Sequence, residues 1–198
     1  MKMIFGIILL VISTISPLSA TTEKGEEAIL AHRYEEAFAI LGPRAEAGDR
    51  RALYILGITY LFTDDEAMKD EKKGLELLYK SANQGYGPAY NGLGDYYLEH
   101  GDEKMAFQNY KKSADFGFGP GQFNVGIMYK NGKGTPRDAN RAYYYLCLAS
   151  VNHRDLDKVS EDAGYYRDQV VPEINPHERQ EILRIVSDLA RPNDPGDD

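Results

Sequence analysis

Apolar and small residues recur along most of this chain at spacings of three and four, which is the period of an α-helix. Three segments share one arrangement, in which a small residue is followed by an apolar residue, a glycine and then a tyrosine on one helical face. The arrangement occupies residues 52–60, 89–97 and 121–129. The segments begin about 35 residues apart, a period typical of helical repeat arrays. The pattern therefore predicts an all-α protein, an α/α solenoid of helix–turn–helix repeats.

A glycine falls inside the first helix of every predicted repeat, at Gly57, Gly94 and Gly126. Inside a helix, glycine costs about 1 kcal/mol relative to alanine. Because this cost recurs at one repeat position, we expect a common cause. Close approach of a neighbouring helix, which a Cβ atom would obstruct, is the cause that the pattern predicts.

Glycine and proline also mark the predicted helix ends. Gly85 and Gly117 follow the second helix of the first two repeats, where a residue with positive φ commonly ends a helix. Pro88 and Pro120 then stand in the first turn of the next helix, where proline is favoured. In the third repeat, Thr135 and the proline after it predict an N-cap and the first position of a helix.

Residues 1–20 have the form of a secretory signal peptide. Lys2 supplies a positive start, residues 4–12 are apolar, and small residues lead to Ala20. Since a membrane-spanning helix needs roughly 20 apolar residues, this run favours a leader over the alternative, an uncleaved anchor. We expect cleavage after Ala20, a periplasmic or secreted location, and no membrane span in the mature chain.

The last predicted helix begins with Asn175 as its N-cap and Pro176 in its first turn. Such a helix is expected to close the exposed end of a solenoid. Its apolar stripe consists of Ile182, Leu183, Ile185, Val186 and Leu189.

The patterns together divide the chain into five parts. We expect a signal peptide over 1–20, opening helices over 21–51, three repeats over 52–153, C-terminal capping helices over 154–190 and a disordered tail over 191–198.

The charge of the chain and the chemistry of its residues limit the possible functions. The chain has 23 Lys and Arg against 31 Asp and Glu, a net charge of −8, which disfavours nucleic acid as a partner. A single cysteine, Cys147, excludes a disulfide framework and a thiolate zinc site. It lies in an apolar string, so we interpret it as a buried inert thiol, with a nucleophile as the alternative. The four histidines have no metal-ligand spacing, so no metal, cofactor or catalytic residue is expected.

The repeats resemble the Sel-one-like repeat (SLR), a relative of the tetratricopeptide repeat. The second repeat departs from that pattern with a shorter loop, and the third has His153 in place of the closing glycine. The first half of the third repeat carries the resemblance most fully, through Val125, Gly126, Tyr129, Gly132, Gly134, Asp138, Arg141 and Ala142.

A helix-hairpin solenoid has a concave face lined by the first helix of each repeat. These side chains are the predicted protein-binding residues, and the alternative is that they pack against adjacent repeats. Under the first interpretation, Phe123→Asp is expected to weaken partner binding with little effect on thermal stability. The predicted residues are Tyr54, Ile58, Leu61, Asn91, Asp95, Leu98, Phe123, Ile127 and Lys130.

The resemblance implies an exported protein–protein interaction module without catalytic activity. Some small exported SLR proteins are immunity proteins that block phospholipase effectors of type VI secretion, so a secreted toxin is one candidate partner. An envelope adaptor or signalling regulator is the alternative. A hydrolytic enzyme is the least favoured hypothesis, because no paired acid, base or nucleophile is apparent.

Overall fold

The computed structural model describes residues 17–151 and 157–190. These residues form ten α-helices and one 3₁₀ helix (Val171–Glu173), and no strand occurs among them. The α-helices are α1 (Pro17–Leu30), α2 (Tyr34–Glu46), α3 (Arg50–Phe62), α4 (Glu71–Ala82), α5 (Gly87–Glu99), α6 (Glu103–Asp115), α7 (Gly119–Asn131), α8 (Ala139–Val151), α9 (Asp157–Val170) and α10 (Pro176–Ala190).

The helices stack in chain order as a solenoid. Helices α3 and α4, α5 and α6, and α7 and α8 form three hairpins, and the first helix of each hairpin also contacts the first helix of the next. Helices α1 and α2 pack in front of α3, while α9 and α10 both pack on α8. The predicted all-α solenoid is confirmed.

Close packing of helices explains the internal glycines. A Cβ atom at Gly57 would lie 2.9 Å from the Leu78 side chain and 3.1 Å from the carbonyl oxygen of Gly74. At Gly94 it would lie 2.5 Å from the ring of Tyr110. Each contact joins the two helices of one hairpin, so the predicted close approach is confirmed.

Buried serines connect the same helix pairs. Ser81 on α4 donates to the carbonyl oxygen of Arg50 at 2.6 Å, and Ser113 on α6 donates to that of Gly87 at 2.8 Å. Both serines are buried. Each bond satisfies a buried hydroxyl and connects the second helix of the hairpin to the first turn of its partner.

The predicted helix ends are confirmed in the first two repeats and wrong in the third. Gly85 and Gly117 have φ of +73° and +75° and follow α4 and α6. In the third repeat, however, α8 begins at Ala139 rather than near Thr135. The Asp138 carboxylate accepts from the backbone N–H of Arg141 at 2.9 Å, so aspartate rather than threonine caps the helix.

The C-terminal helix α10 begins as predicted, because the Asn175 side chain accepts from the backbone N–H of His177 at 2.8 Å. Its predicted apolar stripe is only partly covered. Val186 is buried, whereas Leu189 is 61% exposed. Only part of the apolar stripe, which includes Val186, is therefore buried against the end of the solenoid.

Three predicted features lie wholly or mainly outside the described residues: His153, the tail 191–198, and most of the signal peptide. Helix α1 includes residues 17–20 of that peptide. Within 17–151 and 157–190, none of the helices has the length and apolar character needed to cross a membrane.

Candidate functional site

An open groove of about 460 Å³ lies at the N-terminal half of the array. Its walls come from the end of α1, the α1–α2 turn, α3, the loop after α3, and α5. Three of the nine predicted residues, Tyr54, Ile58 and Asp95, line it. The other lining residues are Ile29, Leu30, His32, Tyr34, Thr59, Phe62, Thr63, Asp64 and Gly92.

Apolar side chains form most of the groove wall. Leu30, the last residue of α1, is 81% exposed, and Phe62, the last residue of α3, is 39% exposed. Tyr54 is partly buried and packs edge-on against Tyr86 with ring centroids 5.6 Å apart. Burial raises the pKa of Tyr54 to about 12, so its hydroxyl is neutral at physiological pH.

The rim of the groove is a polar cluster of His32, Tyr34 and Asp64. The Tyr34 hydroxyl donates to Oδ1 of Asp64 at 3.0 Å and lies 3.0 Å from Nδ1 of His32. Nδ1 of His32 is 3.7 Å from the same carboxylate oxygen. The cluster therefore connects the α1–α2 turn to the loop after α3.

The backbone at the end of α1 positions His32 and Leu30. His32 has φ of +55°, and among the described residues it is the one non-glycine with positive φ. The N–H of Arg33 donates to the carbonyl oxygen of Ala28 at 2.8 Å, the bond that ends a helix in a Schellman motif. The reversal of the chain there leaves Leu30 largely exposed beside the groove.

Asp95 forms the polar floor of the groove. Its Oδ1 accepts from the Tyr110 hydroxyl at 2.7 Å, and its Oδ2 accepts from Nδ2 of Asn91 at 3.0 Å. Nδ2 of Asn124 donates in turn to Oδ1 of Asn91 at 3.0 Å. Burial raises the pKa of the Asp95 carboxyl, with Glu99 adding to the effect, while the bonds from Tyr110 and Asn91 oppose it.

The third-repeat residues are covered by α9. The rings of Phe123 and Tyr166 have centroids 5.9 Å apart, and Ile127 belongs to the same cluster. Nζ of Lys130 lies 5.4 Å from the centroid of the Tyr166 ring. These three predicted residues therefore contact the capping helix α9, and they are not among the residues that line the groove.

Two further predicted residues also lie outside the groove. Leu61 packs against α4, because a Cβ atom at Gly74 would lie 2.7 Å from its side chain. Leu98 is 40% exposed near the end of α5. Asn91 contributes indirectly, since it holds the Asp95 carboxylate.

The part of the groove wall that residues outside the repeats form was not predicted from the sequence. Leu30, His32 and Tyr34 precede the first repeat, and Asp64 stands in the loop after α3. The contact between Tyr34 and Asp64 joins residues 30 positions apart. No local spacing signals such a contact, because it depends on how α1 and α2 dock on α3.

The groove lacks an activated nucleophile. Of its two threonines, Thr59 donates to the carbonyl oxygen of Ile55 at 2.8 Å, and the Thr63 hydroxyl accepts from the backbone N–H of Asp65 at 3.2 Å. Cys147 is buried away from the groove, and burial raises the pKa of its thiol to about 11. Among the residues that the structure describes, no cluster of three His, Cys, Asp or Glu residues is arranged to hold a metal ion.

Comparison with known families agrees with the repeat geometry. The model of the Sel1 repeat matches residues 50–86, 87–117 and 119–150, which correspond to the three hairpins. The chain belongs to the Sel1 repeat family. Sel1 repeats act as protein–protein interaction modules and are typically non-catalytic scaffolds.

Solved structures show the same Sel1 architecture. The crystal structure of a Sel1 repeat protein from Oxalobacter formigenes is 31% identical, with a TM-score of 0.53, and the match covers 57% of this chain and 88% of that one. A protective antigen of uropathogenic Escherichia coli strains displays an SLR fold with a TM-score of 0.56 over 87% of this chain and 45% of that one. At 18% identity, that second likeness concerns the fold alone.

A curated relative matches part of the chain. A component of an ERAD-associated E3 ubiquitin-protein ligase of Arabidopsis thaliana is 28% identical over 128 residues, which is 61% of this chain. The chain spans about a fifth of the length of that relative.

Proposed function

We propose that this Sel1 repeat protein is an exported protein-binding module and that its partner docks in the groove between α1, α3 and α5. The observation that carries the proposal is the groove itself, an open cavity of about 460 Å³ with exposed Leu30 and Phe62 at its wall. Partly exposed apolar anchors beside a polar rim are typical of protein interfaces. The signal-peptide pattern of residues 1–20 supports export.

A narrower form of the proposal is immunity against a secreted toxin. The resemblance to small exported SLR proteins that block phospholipase effectors of type VI secretion supports this role. A blocking protein needs a complementary surface and no catalytic residues, which agrees with a groove that lacks an activated nucleophile. Stoichiometric inhibition of a phospholipase encoded beside its gene tests this form, and tight binding without inhibition would contradict it.

The binding role is tested by a matched pair of exposed leucines. Leu30 is 81% exposed at the groove, and Leu189 is 61% exposed on α10, outside the groove. Affinity purification from periplasmic extract is expected to recover a specific partner with the unmodified protein and with Leu189→Asn. Leu30→Asn is expected to weaken that recovery about tenfold, in the range of a central apolar contact.

Thermal unfolding provides the control, because both leucines are largely exposed and neither substitution removes much buried surface. We expect both variants to melt close to the unmodified protein. Equal recovery of the partner by Leu30→Asn and Leu189→Asn would show that binding uses another surface. Recovery of no specific partner by the unmodified protein would contradict the binding role itself.

A further inference from the structure

We propose that the groove selects a partner segment in which a basic side chain stands beside an apolar one, with Asp95 receiving the basic group. This inference rests on the proposed function and adds the chemistry of the partner. It draws on three independent features of the groove: its charge, the fixed position of Asp95, and the apolar path that leads to it.

The residues that line the groove carry mainly negative charge. Asp64 and Asp95 are among the twelve lining residues, no Lys or Arg is, and His32 at the rim is the only lining residue able to carry positive charge. Glu99, whose charge helps to raise the pKa of the Asp95 carboxyl, is also acidic. A partner with positive charge is therefore complementary to this surface.

Asp95 differs from two other partly buried carboxylates, those of Asp49 and Glu26. Asp49 pairs with Arg44 at 2.9 Å, and Glu26 is held by Nε of Arg51 at 2.9 Å. Asp95 has neutral hydrogen-bond donors instead, and no Lys or Arg in the described ranges forms an ion pair with it. Because a partly buried carboxylate without a cation is costly, a cation supplied by the partner would gain more there than at an exposed acid.

The Asp95 carboxylate is also held in place for an additional contact. Tyr110 on α6 and Asn91 one turn earlier on α5 each donate one hydrogen bond to a different oxygen. An ionised carboxylate has about four lone-pair sites, so acceptor capacity remains on both oxygens. The bonds fix the orientation of the carboxylate before a partner arrives, which lowers the entropy cost of binding.

The apolar wall fits the rest of the segment. Tyr54, Ile58 and Phe62 on α3 flank the groove that Asp95 lines. Lys and Arg side chains pack their apolar stems along such surfaces while the charged group reaches a polar partner. Leu30 lies exposed at the edge, where a neighbouring apolar residue of the segment would contact it.

Selection of peptides from a random heptapeptide display library on the purified protein tests this inference. We expect the enriched peptides to contain Lys or Arg next to a Leu, Ile or Phe. Fluorescence anisotropy with one enriched peptide should then show about tenfold weaker binding to Asp95→Asn. Replacing the basic residue of the peptide by Gln should cause a similar loss, with no further loss when both changes are combined.

Two controls separate this result from unfolding and from net charge. Glu76→Gln removes one negative charge on α4 outside the groove and is expected to bind the peptide like the unmodified protein. Asp64→Asn removes a charge at the exposed rim and leaves the floor of the groove unchanged. If Asp95→Asn unfolds, this variant still tests whether negative charge in the groove attracts the basic residue of the peptide. We expect about a two- to threefold loss for Asp64→Asn, as for an exposed ion pair.

The inference fails independently of the proposed function. Enrichment of acidic or purely apolar peptides, no enrichment, or a loss in Asp95→Asn that is equal for the basic and Gln peptides would overturn it. If the Leu30-dependent partner is still recovered in that case, the groove remains the binding site and only the basic anchor is wrong. If no partner is recovered either, the binding role fails as well.

Discussion

At the scale of single residues, Tyr110 joins the packing of the array to its candidate site. Its ring fills the space that the missing side chain of Gly94 leaves on the facing helix. Its hydroxyl donates to Asp95, the residue next to that glycine, at 2.7 Å. A glycine that serves helix packing therefore also sets the position of the acid on the groove floor.

Replacing this glycine is expected to destabilise the fold. In Gly94→Ala the new Cβ would lie 2.5 Å from the Tyr110 ring, so the ring or α6 must move. Overpacking of this kind costs about 1–3 kcal/mol, which for a chain of this size lowers the melting temperature by about 2–4 °C per kcal/mol. Differential scanning calorimetry measures the shift.

Gly164→Ala is the matched control. Gly164 also lies inside a helix, α9, but an added Cβ there would meet no atom within 4 Å. Alanine is favoured over glycine in helices by about 1 kcal/mol, so this variant should be slightly more stable. A destabilisation of the same size in both variants would show that the Tyr110 contact is not the cause.

At the scale of whole helices, α9 decides which part of the concave face is open. It packs against α7 and α8 and covers Phe123 through Tyr166. Within 17–151 and 157–190, Tyr54, Ile58 and Asp95 on the first helices of the first two repeats instead line the open groove. The groove thus lies in the N-terminal half of the described array, away from the part that α9 covers.

Phe123→Asp distinguishes these two parts of the concave face. The sequence alone predicts little change in stability, whereas packing against Tyr166 and Ile127 predicts a clear loss. We expect about 2–4 kcal/mol of destabilisation, since a partly buried aromatic contact is lost and a charge is introduced. Urea unfolding measures it, and Phe62→Asp, at a residue 39% exposed beside the groove, should cost less. A Phe123→Asp midpoint equal to that of the unmodified protein would contradict the role given to α9.

Some features of these helices could be predicted from the sequence, and others could not. The repeats, the internal glycines and the Gly85 and Gly117 helix ends follow from local spacing and backbone rules, so they were predictable. The cap at Asp138 was misassigned because two nearby residues, Thr135 and Asp138, both suit an N-cap. The cover by α9 and the wall from α1 depend on contacts between distant segments, which no repeat period encodes.

At the scale of the whole molecule, the array is asymmetric. Its N-terminal half presents an acidic, partly apolar groove, while its C-terminal half closes the equivalent surface with its own capping helix. Each repeat contacts mainly its neighbours, so a substitution at the groove should leave the C-terminal hairpin intact. This separation makes binding and stability independently measurable in one chain.

Site-specific photo-crosslinking in native cells tests the central claim that a partner docks in the groove. A photoreactive phenylalanine is placed at Phe62, beside the groove, or at Tyr165, which is 65% exposed on α9. We expect a discrete adduct with one protein from position 62 and none from position 165. An adduct from position 165 alone, or no adduct from position 62, would contradict it.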